Sequence, residues 1–106
     1  MIKLKIERDR QNRILGFSVE GHAGFAPHGQ DIVCAAVSAL TLTAVLSLKK
    51  LLNLKLDFKN SDGLLVCRLP EMDNDVRSKA EIIVNTMLIG IRETKKNYPE
   101  YIEVVD

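Results

Sequence analysis

Apolar and charged residues alternate from the start of the chain. Ile2, Leu4 and Ile6 fall on one face and Lys3, Lys5 and Glu7 on the other, the period of a half-buried strand. The polar run Arg8-Asp9-Arg10-Gln11-Asn12-Arg13 has no apolar periodicity and predicts a turn. Alternation then resumes with Leu15, Phe17 and Val19 expected inward, so the first two strands read as an antiparallel hairpin. From Ile32 to Leu48 the chain carries no charge. Asp31 is a good N-cap for this run, and Lys49 and Lys50 suit its C-terminal dipole, which predicts a helix to about Leu52. Leu54, Leu56 and Phe58 alternate with Lys55, Asp57 and Lys59. Asn60-Ser61-Asp62-Gly63 supplies a turn, Leu65, Cys67 and Leu69 return on one face as a second hairpin, and Pro70 ends it. Val76, Ala80, Ile83, Val84, Met87, Leu88 and Ile91 recur at helical spacing behind a cap at Asp73 or Asp75, and Lys95 and Lys96 close that helix before Pro99. A last short strand spans Tyr101 to Val105, with Ile102 and Val104 pointing one way.

The order β-β-α-β-β-α-β predicts an α+β fold of two layers, a mostly antiparallel sheet with two helices, in a single domain over residues 1–106. The uncharged run is at the lower limit of length for a membrane span. Ser38, Thr41, Thr43 and Ser47 interrupt it and amphipathic elements flank it, so it reads as a buried helix and no membrane partner is expected. Its apolar circumference exceeds what one sheet face covers, which points to self-association, most simply as a symmetric homodimer.

Charge changes the picture little. The net charge is +1 with both signs mixed along the chain, so there is no basic footprint for direct nucleic-acid binding. The two cysteines and the absence of a secretory apolar core in MIKLKIERDR point to free thiols in a reducing, cytoplasmic setting.

The chemistry concentrates between Gly21 and Ser38, GHAGFAPHGQDIVCAAVS. A histidine follows a strand, a loop with glycines and Pro27 comes next, and Cys34 sits in the first turn of the long helix. A cysteine attacks as thiolate, and a helix N-terminus, a nearby imidazolium and partial exposure each favour that form. First-turn amides without intrahelical partners could also hold the oxyanion of a tetrahedral intermediate. His22 abuts the strand end and is the better fixed histidine, whereas His28 lies in mid-loop. Ser38, one turn after Cys34, either lines the site or bonds back to its own backbone. Simpler readings compete: Cys34 as a small buried hydrophobe, Asp31 as an N-cap alone, or His22, His28, Asp31 and Cys34 as metal ligands. The last matches no common zinc spacing. Cys67, on the apolar face of a strand, reads as core.

Gly21-His22-Ala23, Gly29, Asp31-Ile32-Val33-Cys34-Ala35-Ala36 and Ser38, with the closing Tyr98-Pro99-Glu100-Tyr101-Ile102, together resemble the bacterial ribosomal-processing cysteine proteases along the whole chain. The resemblance implies a homodimeric cysteine endopeptidase that needs no cofactor or metal. Its partner would be the precursor of a large-subunit ribosomal protein, from which it removes an N-terminal extension. By matching position it implies His22 and Cys34 as the catalytic pair and Asp31 in a supporting role, with His28 in the variable part of the loop. The rival of another class is a non-catalytic, ribosome-associated binding module that uses the same loop.

Overall fold

A computed structural model describes residues 1–27 and 30–106. Two strands, β1 (Ile2–Arg8) and β2 (Ile14–Glu20), precede the helix α1 (Ile32–Leu52). A second pair, β3 (Asp57–Ser61) and β4 (Leu64–Arg68), is followed by α2 (Asn74–Asn97) and β5 (Ile102–Val105). The order is the one the periodicity predicts. The five strands form one sheet in the order β3-β4-β2-β1-β5, antiparallel throughout except for β5, which runs parallel to β1.

Register explains which face is buried. Ile6 pairs with Phe17, Phe17 with Cys67, and Cys67 with Phe58, a row of apolar side chains across four strands. Its neighbour row, Lys5, Ser18, Val66 and Lys59, lies on the opposite pleat. The buried row packs with Val33, Val37, Val45 and Leu48 of α1 and Ala80, Val84, Leu88 and Ile91 of α2 into one core. Each valine, leucine, isoleucine or phenylalanine so buried contributes roughly 1.5–3 kcal/mol, more than an exposed ion pair on the surface.

The second strand departs from simple alternation. Between Glu7 and Arg8 the pairing skips a residue, so Leu15 is bulged and Ile14, not Leu15, is fully buried. Side chains of α2 satisfy the backbone there: Ile14 N–H donates to Glu81 Oε2 (2.9 Å), and Arg77 donates to the Ile14 carbonyl (2.8 Å). The second hairpin is also shorter than its alternation suggests. Leu54 and Leu56 pack partly on the core ahead of β3, and Asn60 and Ser61 belong to the strand, which leaves Asp62-Gly63 as a two-residue turn.

Asp31 and Asp73 are the N-caps of the two helices, each accepting first-turn amides. The 21-residue α1 is long and apolar enough to cross a membrane by length and composition. Here Val33, Val37, Thr41, Ala44, Val45 and Leu48 are buried in the protein, and Leu46 and Leu51 point outward.

Candidate active site

The site is built where β2 hands over to α1 and where the β3–β4 turn reaches up beside it. Cys34 follows the cap by one turn and is half-buried, which is as much access as a nucleophile at a helix start requires. Its Sγ accepts a hydrogen bond from the Ala23 amide (3.3 Å), the residue after His22.

Asp31 ties loop and helix together. Oδ1 accepts from the amides of Val33 and Cys34, both at 3.0 Å, and Oδ2 accepts from Phe25 N–H at 3.1 Å. These bonds, the Cys34 amide foremost, hold the Asp31 carboxyl below the usual carboxylate range. They also correct one expectation. The amides of Val33 and Cys34 are occupied by the cap, and that of Ala35 donates to the Asp31 carbonyl (3.0 Å), so these three are not free to hold an oxyanion. Phe25, next along the loop, stands edge-on to Tyr98 and Tyr101, with ring centroids 5.5 and 5.3 Å away.

His22 occupies the facing wall. Its carbonyl accepts from the Met1 amino group (2.7 Å), and Gly21 N–H donates to the Gly63 carbonyl (2.9 Å), so the strand end is sewn to both neighbours. The imidazole lies over Gly63, and its Nε2 is 3.5 Å from Asp62 Oδ1. Gly63 has φ +73°, the left-handed region that favours glycine, and a Cβ there would sit 3.1 Å from Nε2 and press the ring aside.

His22, Asp31, Cys34 and Ser38 line one cleft of about 690 Å³, floored by Ile2, Val19 and Leu65. Ser38 is exposed on that wall, while the hydroxyl that bonds back into the helix is that of Thr41, to the Val37 carbonyl (2.9 Å). His28 lies outside the described residues. Among the described residues no three of His, Cys, Asp and Glu are grouped to hold a metal ion. Asn60, Ser61 and Asp62 also line the cleft, where the sequence predicts only a turn. No local signal marks them, because their proximity to His22 comes from the β2–β4 pairing. Cys67 is fully buried, and that burial pushes its thiol up to about 11.

A helix-start thiol and an imidazole that line one cleft are the constellation of the cysteine proteases. Residues 1–103 match the family described as cysteine protease Prp, and the chain belongs to that family. The ribosomal processing cysteine protease Prp of Bacillus subtilis (strain 168) is 34% identical over 107 residues, spanning 98% of this chain and 96% of that protein. The crystal structure of the S. aureus ribosomal processing protease Prp with a covalently linked product peptide matches with a TM-score of 0.88 at 28% identity, covering 99% of this chain and 98% of that one. The S. aureus protease with a substrate peptide matches at a TM-score of 0.81 and 25% identity, covering 98% and 97%. This chain is thus a ribosomal-processing type of cysteine protease, with the fold of its relatives.

Proposed function

We propose that this cysteine protease removes the N-terminal extension of a large-subunit ribosomal protein in the cytoplasm, with Cys34 as nucleophile and His22 as acid and base. The observation that carries the residue assignment is the hydrogen bond from Ala23 N–H to Cys34 Sγ, which sets the thiol beside the His22 backbone in a cleft both side chains line. The ribosomal substrate rests on the resemblance of the motif and on what the relatives process. The peptide bound covalently to the S. aureus protease is in keeping with an acyl-enzyme route.

In this reading the Cys34 thiolate adds to the scissile carbonyl, and the tetrahedral intermediate collapses as His22 gives its proton to the leaving amine. Water then gives a proton to His22 as it attacks the thioester, and the thiolate leaves. Asp31 supports the step by fixing the first turn that carries Cys34. The protein works as a homodimer, a proposal supported by the outward apolar residues Leu46, Leu51, Ile82 and Ile89 on the two helices.

The test is incubation with a peptide spanning the extension junction, read by mass spectrometry. Cys34→Ala abolishes cleavage with the fold intact, and His22→Ala lowers the rate by about three orders of magnitude or more. Cleavage by the Cys34 variant at the wild-type rate would overturn the nucleophile assignment. A purely binding module would hold the peptide uncut.

A further inference from the structure

The β3–β4 turn presents the only carboxylate recorded within ion-pair distance of His22 among the described residues. Resting on His22 as acid and base, we propose that Asp62 is the positioning residue of that histidine. Its carboxylate faces Nε2 at 3.5 Å, sets the rotation of the ring, and leaves Nδ1 as the nitrogen that exchanges a proton with Cys34.

Three observations converge on the turn. The imidazole lies over Gly63, where a Cβ would be 3.1 Å from Nε2, so the turn backbone bounds the ring on one side. Gly21 N–H donates to the Gly63 carbonyl at 2.9 Å, which fastens the turn to the residue before His22. The turn is only two residues long, between paired Ser61 and Leu64, so Asp62 is delivered on a short, registered hairpin. An imidazole has two nitrogens, and the partner of one decides which tautomer and orientation the other offers. With a carboxylate at Nε2, the neutral ring carries its proton there and Nδ1 has the lone pair. When His22 takes a proton it becomes a cation beside Asp62. The other titratable groups near it are Cys34 and Asp31, which line the same cleft, and the Met1 amino group on its own carbonyl. Because Asp62 is well exposed, water screens the pair and the effect is modest.

The experiment follows cleavage of the junction peptide across pH for the wild type, Asp62→Asn, Asp62→Glu and His22→Ala. Asn is at home before a turn glycine, so Asp62→Asn retains Tm. It lowers kcat about 3- to 10-fold with KM unchanged and moves the alkaline limb of the rate profile to lower pH, since the cation has lost its anion. Asp62→Glu recovers most of the loss. An unmoved limb, whether kcat falls or not, assigns Asp62 to the turn alone and overturns the proposal. Independently of folding in any variant, ¹⁵N NMR of the wild-type imidazole reads the tautomer: a neutral ring protonated at Nε2 supports the proposal, and one protonated at Nδ1 overturns it. His22→Ala separates the two readings. If it cleaves at the wild-type rate the acid–base assignment itself is wrong, whereas an inactive His22→Ala beside an unaffected Asp62→Asn removes only Asp62.

Discussion

The two cysteines show how far position decides chemistry. Cys67 faces the apolar row between Phe17 and Phe58, and burial drives its thiol to about 11, so at mildly alkaline pH only about one molecule in a thousand carries the thiolate. Cys34 is half-exposed, with an amide aimed at its sulfur. Iodoacetamide under native conditions is therefore expected to label one site, Cys34, with Cys67 reacting only in denaturant. Peptide mapping by mass spectrometry checks this, and native labelling at Cys67 would contradict its place in the core. Both placements were legible in sequence, because one cysteine follows an N-cap and the other alternates with polar residues. Asp62 was not, since nothing in Asn60-Ser61-Asp62-Gly63 distinguishes a carboxylate beside an imidazole from an ordinary turn residue.

Among the elements, the helices follow their caps closely. Asp31 sets the start of α1 and Asn53, at φ 55°, ends it, within a residue of the predicted span. Strands are less exact because pairing overrides alternation: the bulge at Leu15 turns Ile14 inward, and α2 supplies the partners that the interrupted ladder lacks. β5 is the clearest case. Among the described residues its four residues pair only with β1, and Asp106 just beyond accepts two hydrogen bonds from Arg8 (2.7 and 3.1 Å), with Arg92 of α2 at 3.6 Å. The hydrogen bond from Arg8 is the largest of the effects that hold the Asp106 carboxyl below its ordinary value of 3.8. A depressed carboxyl stabilises the fold fully above that ordinary value, and its contribution is lost as pH falls through the lower folded-state value. Asp106→Asn is expected to melt a few degrees below the wild type at neutral pH, and the gap to close in strong acid, as thermal unfolding followed by circular dichroism would show. A constant gap at all pH values would mean that the charge does not matter.

For the whole molecule, the unpartnered apolar surface is the main physical question. Leu51 borders a groove of about 300 Å³ between α1 and α2, with Ala39, Leu40, Ile83 and Met87, and Ile82 and Ile89 project from the same helix pair. The proposed homodimer covers such a surface, so light scattering at micromolar concentration is expected to give twice the mass of one chain, and a monomer alone would refute it. Sequence by itself determined the element order, the two-layer α+β class, the cap of α1 and the candidate thiol, because these follow from periodicity and first-turn chemistry that neighbouring residues carry; it left the cap of α2 between Asp73 and Asp75, and the structure takes Asp73. Only the tertiary structure decided the strand order with its parallel β5 and the placing of Asp62-Gly63 against His22. Those depend on pairing between residues far apart in the chain, and no local pattern encodes which strand lies beside which.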